Sequence, residues 1–295
     1  MDTMQYSCLH THTIFCDGHD DIETICRSAY GKGLFAIGFS AHAPIHKKTG
    51  FQSDWHLRDD RLEEYLDAVN TARRRWEGRL QVFLGLEVDY IPGLMGPADQ
   101  DLHELGLDYS IGSVHYVVPP RGKPFTVDDA PKEFETGIRE GFAGDGTALM
   151  EAYWDTVEAM IRAGGFDILG HVDLVKKNTP QGQWFSLEGA PYCRRIAGVA
   201  GLIAETVTGS PWVVEVNTGG LNRVITQDTY PSLPFLRLLN EKQVPVIITA
   251  DAHRAADVDG HYQTARETLL AAGYAHAVLF GGRKGGLPVW IREPL

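Results

Sequence analysis

The amino-acid sequence predicts an α/β fold in which parallel strands close into a barrel with helices outside, and three observations predict it. Short apolar runs alternate with amphipathic stretches from one end of the chain to the other. The runs are apolar throughout, as in VPVIITA at 244–250, the pattern of strands buried on both faces. Almost every run is followed by a histidine, aspartate or glutamate, and such barrels gather their chemistry at the C-terminal ends of their strands.

Residues 5–9 form the first short strand. Ile22, Ile25, Cys26 and Ala29 then recur at helical spacing, with Asp20 or Asp21 as cap and Gly31 and Gly33 closing the helix. Strand two covers 34–39. Leu62, Tyr65, Leu66, Val69 and Trp76 mark a longer amphipathic helix before strand three at 80–86. A short helix near 99–105 leads into strand four at 109–114. Residues 119–146 are rich in Gly, Pro and charge and read as an irregular insertion over the barrel mouth, a lid by position. A helix at 148–163 precedes strand five at 166–169, and a helix at 190–207 precedes strand six at 212–216. A helix at 231–241 precedes strand seven at 245–250. A last helix at 264–272 precedes a weak final strand at 277–280.

Strands that are each followed by a helix imply parallel pairing with right-handed crossovers. Seven strong strands and one weak one favour a closed or nearly closed barrel. A dinucleotide-binding sheet would carry a Gly-x-Gly-x-x-Gly turn after strand one, where this chain has His-Thr-His.

The 295 residues are 43% hydrophobic and show no linker, repeat or low-complexity tract, so one domain over 1–295 is expected. The net charge of −12, from 27 basic and 39 acidic residues, disfavours long nucleic acid as a partner. A small anion entering a metal-lined pocket would feel the local field instead. Cys8, Cys16, Cys26 and Cys193 form no C-x-x-C pair, which argues against a thiolate metal knot or a thioredoxin-like site. The first residues lack the basic start and apolar run of a signal peptide, and no stretch approaches membrane length. No membrane partner and a cytoplasmic location are therefore expected.

His10 and His12 are two apart after strand one, so on an extended strand both imidazoles reach the same side. Asp17 lies in the loop that follows, where turn formation is the bland alternative, and His19 beside it reads as a solvent histidine. His42 follows strand two. Glu87 follows the apolar run of strand three, where a buried carboxylate needs a cationic partner; Asp89 either shares the site or solvates the strand end. His115, His171 and the pair Asp251 and His253 follow strands four, five and seven.

Six histidines, two aspartates and one glutamate thus stand after apolar strands, whereas His19, His46, His56, His103, His261 and His276 fall in helices or loops. Nine N/O donors exceed the about four of a tetrahedral ion or the about six of an octahedral one, so two or three ions are expected. Imidazole and carboxylate without thiolate point to Zn, Mn or Fe. Lys176 and Lys177, Arg223 and Arg254 lie just beyond strand ends and are candidates to grip phosphate. Asn217 ends strand six, where the other strands end in ligands, and is a candidate to orient substrate. Gly219 and Gly220 after it permit close backbone approach.

The fragments HTH at 10–12, Asp17, FSAH ending at His42, GLEVDY around Glu87, GSVH ending at His115, GHVD from His171 and ADAH ending at His253 together resemble the polymerase and histidinol phosphatase (PHP) superfamily of metal-dependent phosphoesterases. They occur in that family's order across the whole chain. GLEVDYIPG, DYSIGSVHYV, LGHVDLVKK and EVNTGGL are similar to segments of its histidinol-phosphate phosphatase group. The resemblance implies a distorted (β/α)7 TIM-like barrel with three divalent ions. His10, His12, Glu87 and Asp251 would hold one ion, Glu87, His115 and His171 a second, and Asp17, His42 and His253 the third. It implies Lys176 and Arg223 as phosphate ligands, and Glu87, Asp251 and His253 as catalytic side chains. The implied reaction is hydrolysis of L-histidinol phosphate by a metal-bridged hydroxide attacking in line. Nucleotides or another small phosphomonoester are the alternative substrates, and a non-catalytic metal-binding protein is the alternative class.

Overall fold

In the computed structural model, which describes residues 4–51, 53–179, 182–209 and 211–295, the chain opens with β1 (Ser7–Cys8), α1 (Ile22–Gly31), β2 (Ala36–His42), α2 (Leu62–Trp76), β3 (Gln81–Asp89), α3 (Gln100–His103) and β4 (Tyr109–Ser113). A small antiparallel pair follows, β5 (Tyr116–Val117) and β6 (Phe125–Thr126), and then α4 (Pro131–Gly141), α5 (Gly146–Ala163) and β7 (Ile168–Leu169). The remainder is α6 (Ala190–Val207), β8 (Val213–Asn217), α7 (Gly219–Asn222), α8 (Leu233–Glu241), β9 (Val246–Thr249), α9 (Tyr262–Ala272), β10 (His276–Lys284) and β11 (Leu287–Pro294).

Local chemistry starts several of the helices. The Asp21 carboxylate accepts the Thr24 N–H at 2.7 Å to cap α1, and Asp145 accepts from Ala148 at 3.0 Å to cap α5. Proline stands in the first turn of α4, α6 and α8, where its missing N–H costs no helical bond.

Among the described residues, seven strands form one parallel sheet in the order β1-β2-β3-β4-β7-β8-β9. The sheet closes only at its C-terminal end. There Thr11 bridges Ala252, with His12 N–H to Ala252 O at 2.8 Å and Ala252 N–H to His10 O at 3.0 Å. Closure therefore runs through the two segments that carry His10, His12 and Asp251.

Inward positions recur with period two and change character along the barrel. Leu9, Tyr109, Ile111, Ile168, Val213 and Ile247 form the floor of the lumen. One or two steps up the same faces stand Glu87 on β3, Glu215 and Asn217 on β8, Thr249 on β9, and His115 and Asp251 beyond β4 and β9. Tyr109 crosses the lumen, and its hydroxyl donates to Leu9 O at 2.5 Å. It can do so because β2 and β3 present Gly38 and Gly85 to it; a Cβ on Gly85 would lie 2.5 Å from the Tyr109 ring.

Two expectations are corrected. The segment after α9 is not an eighth barrel strand: β10 and β11 pair only with each other, antiparallel, and Val278 and Phe280 plug the lumen floor. β10 has nine residues and β11 eight, so the ribbon runs well past the short apolar run at 277–280, and its outer part is exposed and carries no buried pattern. The insertion at 119–146 is not irregular; it contains β6 and the eleven-residue α4, whose Phe134 and Ile138 are fully buried. No helix among the described residues is long and apolar enough to cross a membrane.

Gly85→Ala forces its methyl group into Tyr109 and is expected to cost about 1–3 kcal/mol. Gly198→Ala, on an open face of α6, is expected to be neutral or to stabilise by up to about 1 kcal/mol. Denaturant unfolding of both variants measures the contrast, and equal losses would contradict the packing described.

Candidate metal centre

Glu87 lies at the middle of the barrel mouth and is 1% exposed. Its two carboxylate oxygens face different imidazoles. Oε2 lies 3.0 Å from His42 Nδ1, 3.1 Å from His10 Nε2 and 3.5 Å from His12 Nε2. Oε1 lies 2.9 Å from His171 Nε2 and 3.6 Å from His115 Nε2. Asp251 Oδ1 approaches His12 Nε2 at 3.3 Å and His10 Nε2 at 3.7 Å. Asp17 reaches in from the loop after β1, with Oδ2 3.0 Å from His253 Nε2 and Oδ1 3.5 Å from His12 Nδ1. All nine residues expected to be ligands are thus brought to one place.

Donor atoms gather in overlapping sets, each within 4.8 Å: His10, His12 and Asp251; His10, Glu87 and His171; His12, Asp17, His42 and His253; and His42, His115 and Asp89. Metal binding is tested by the hydrogen bonds these atoms fail to make. His10 Nε2, His12 Nε2, Asp17 Oδ1, His42 Nδ1, Glu87 Oε2 and His171 Nδ1 are buried yet have no hydrogen-bond partner among the described residues. A buried polar atom left so costs about 1–3 kcal/mol. Five of these, all but His171 Nδ1, belong to side chains that face Glu87 or Asp17 across the mouth, and such buried lone pairs are what a divalent cation requires of its ligands. The residues present fit the group.

Against burial, neighbouring carboxylates raise His10, His115 and His253, so a cation binding there would displace protons from these imidazoles. Burial alone raises the Glu87 carboxyl, but His10, His42 and His115 hold it well below the usual range. Burial likewise raises Asp251, and Arg223 and His10 bring it well below. His12 is lowered to about 3, first by burial and then by His253 and His42, so its imidazole is neutral with a lone pair free.

Three buried groups outside the expected set orient the ligands. Glu215, fully buried, binds His10 Nδ1 at 2.6 Å, the His171 N–H at 2.7 Å and the Thr249 hydroxyl at 2.5 Å. Taking the Nδ1 proton of His10 leaves its Nε2 lone pair aimed at the centre. Asp89 does the same for His115, whose Nδ1 lies 2.9 Å from Oδ1, and it also holds His56 Nε2 at 2.8 Å from Oδ2. Asp89 therefore supports the site from behind, and His56 is no solvent-side loop histidine. A signal for Glu215 was present: it is the charged residue of VVEVN, two positions from Asn217. His56 carries no such signal, since only the folded loop brings it to Asp89.

The expected phosphate-binding residues separate. Arg223 is at the site, with Nη2 3.1 Å from Asp251 Oδ2 and Nη1 3.1 Å from His253 Nδ1. Lys176 is turned away: its Nζ donates to Asp173 at 2.9 Å and to Thr229 O at 2.6 Å, and it sits over the Tyr230 ring. Lys177 is likewise paired, with Asp128. Arg254 is exposed and outside the cleft. Asn217 is fully buried beneath Asp251, to which Nδ2 donates at 3.4 Å, so it supports a carboxylate and does not face the cleft. The close approach expected at Gly219 is present, since a Cβ there would lie 2.7 Å from Asp251 Oδ2.

Above the donors opens a cleft of about 210 Å³. Arg223 and His253 stand on one side of it, and Trp55, Thr126, Asp128 and Asp129 also line it. The last three belong to the insertion, which thereby reaches the barrel mouth.

The PHP domain model matches residues 9–218. A "Probable histidinol-phosphatase" of Deinococcus radiodurans is 28% identical over 277 residues, covering 93% of this chain and 96% of that protein. The "Histidinol-phosphatase" of Bacillus subtilis is 27% identical over 267 residues, covering 86% and 96%. The crystal structure of a histidinol phosphate phosphatase from Lactococcus lactis, complexed with zinc, L-histidinol and phosphate, superposes with a TM-score of 0.69 at 16% identity, covering 97% of this chain and all of that one. With its barrel of seven parallel strands and a family match over most of its length, this chain belongs to the PHP domain family.

Proposed function

We propose that this protein is a metal-dependent phosphomonoesterase that hydrolyses L-histidinol phosphate to L-histidinol and phosphate, a step of histidine biosynthesis. The observation that carries the reading is the set of buried, unpartnered nitrogen and oxygen atoms around Glu87. The names of two relatives aligned over nearly their whole length supply the substrate. Three divalent ions fit nine donors with one bridging carboxylate: His10, His12, Glu87 and Asp251 for the first, Glu87, His115 and His171 for the second, Asp17, His42 and His253 for the third. Zn, Mn or Fe suit such donors. Bound there, the ions supply Lewis-acid activation of water and neutralise the phosphoryl oxygens.

The chain's own residues do the remaining work. Arg223 offers a planar, permanently charged donor fork to the phosphoryl group beside the ions. It also ties Asp251 to His253, so those two side chains are held as one unit. Asp128 is already paired with Lys177, and Asp129 beside it places negative charge on the cleft wall, which favours a substrate whose leaving alcohol carries an ammonium group. Trp55 gives that wall an aromatic surface for a planar ring. The same surface suits a nucleobase, which keeps small nucleotides as the alternative substrate. The reading takes 1–295 as one domain with 119–146 as its cap.

A substrate panel decides between the two. Phosphate release is expected to be fastest from L-histidinol phosphate, and faster release from nucleoside monophosphates overturns the proposal. Prolonged chelation is expected to abolish turnover and Zn, Mn or Fe to restore it; turnover that survives complete metal removal contradicts the reading.

Glu87→Ala and His115→Ala are each expected to lower kcat/KM more than about 100-fold, since even residues behind the ligands are worth about 10–100-fold. Arg223→Ala is expected to lose at least about 10-fold, and Arg223→Lys to recover only part, because lysine lacks the bidentate fork. Arg254→Ala is expected to leave steady-state kinetics unchanged. Equal losses at Arg223 and Arg254 would contradict the assignment of the phosphate ligand.

A further inference from the structure

His56 is 5% exposed, lies on the loop after β2 and has no part in the ligand set proposed above. It borders the neighbouring groove and not the reaction cleft. Its ring is nevertheless fixed at both nitrogens. Nε2 lies 2.8 Å from Asp89 Oδ2, and Nδ1 lies 2.7 Å from Ser53 Oγ. Asp89 Oδ1 in turn takes the Nδ1 proton of His115 at 2.9 Å.

Only one direction of donation satisfies the whole chain. Asp89 sets one carboxylate oxygen against each ring, Oδ2 against His56 Nε2 and Oδ1 against His115 Nδ1, and a carboxylate between two imidazoles serves as acceptor to both. It accepts from both rings, so His56 carries its proton on Nε2 and its Nδ1 accepts the Ser53 hydroxyl. His115 then carries its proton on Nδ1 and presents Nε2 to Glu87. Were His56 absent, Asp89 Oδ1 would keep the ring and the backbone N–H of His115, while Oδ2 would be left buried and unpaired, and the carboxylate would lose the partner that fixes its second oxygen.

The same ring ties down the cleft wall. Trp55 packs against His56 with ring centroids 3.8 Å apart, and against His42 at 4.5 Å. Leu57 N–H donates to His42 O at 3.0 Å. The loop is thus pinned to the metal centre on both sides of His56.

We infer that His56 is a positioning residue: through Asp89 it fixes the ring of His115 for metal, and through its place in the loop it seats Trp55 at the cleft wall, so that metal retention and substrate capture share one anchor. This rests on the metal reading of the centre.

The test compares wild type, His56→Ala and His56→Gln, loaded with Zn under the same conditions. Three measurements are made: the rate of metal transfer to a chelator, thermal unfolding in excess chelator, and kcat and KM for L-histidinol phosphate. His56→Ala is expected to give up one class of ion about 10–100-fold faster and to show a raised KM. His56→Gln keeps an N–H for Asp89 and is expected to recover most of the retention but less of the KM, since it lacks the ring that Trp55 packs on. Ser53→Ala frees the ring only at Nδ1 and is expected to accelerate transfer by a smaller factor, which keeps the inference testable should His56→Ala not fold. Unchanged transfer in all three variants overturns the inference. So does a His56→Gln protein that loses metal as fast as His56→Ala, because the loss would then follow packing and not the hydrogen bond. Wild-type protein that retains no metal overturns the reading beneath it, and is distinguished by that control alone.

Discussion

The burial of the Glu87 carboxylate is the constraint on which this molecule depends. A lone buried anion costs several kcal/mol even after relaxation, and here the cost is met by five imidazoles from four different strands or strand ends. Those strands must therefore end at the same height. The closure between β1 and β9 achieves this, since the backbone of His10, His12 and Ala252 forms the seam itself. Beneath it, the lumen is filled by side chains up to Tyr109, so the ligand layer stands on a packed floor that excludes water from below. Barrel geometry and the charge at its mouth are in this sense one problem with one solution.

A second layer converts proximity into direction. An imidazole near a metal is useful only with its lone pair aimed, and the proton on the other nitrogen sets the aim. Glu215 does this for His10 and Asp89 for His115, while Asn217 and Arg223 steady Asp251. Glu215, Asp89 and Asn217 are as deeply buried as the ligands, whereas Arg223 is exposed. Glu215 and Asp89 add negative charge to a site already rich in it, and they deepen its attraction for cations. Under the proposed reading an acidic chain can hold an anionic substrate, because the field the substrate would meet is that of bound ions and Arg223.

Much of this was legible in the sequence. All nine expected ligands converge because strand ends are marked locally: an apolar run followed by His, Asp or Glu states both where a strand stops and what it presents. Groups whose role is set by tertiary contact were not legible. Lys176 occupies a position suited to phosphate, yet its Nζ is captured by Asp173 and Thr229 O, partners that lie 3 and 53 residues away. Asp89 shares the inward face of β3 with Glu87, and only the arrival of His56 from another loop decides that it orients. Residues 277–280 have the apolar pattern of a final barrel strand, but Val278 and Phe280 plug the floor and do not join the wall. The helix α4 escaped notice because its apolar positions, Phe134 and Ile138, are few among charged neighbours.

Anomalous diffraction at metal absorption edges, from crystals of protein purified without chelator, tests the central claim most directly. The account predicts three peaks in the barrel mouth, with the Glu87 carboxylate bridging two of them and Asp17, His42 and His253 around the third. A single peak, or ions that do not contact Glu87, would contradict it.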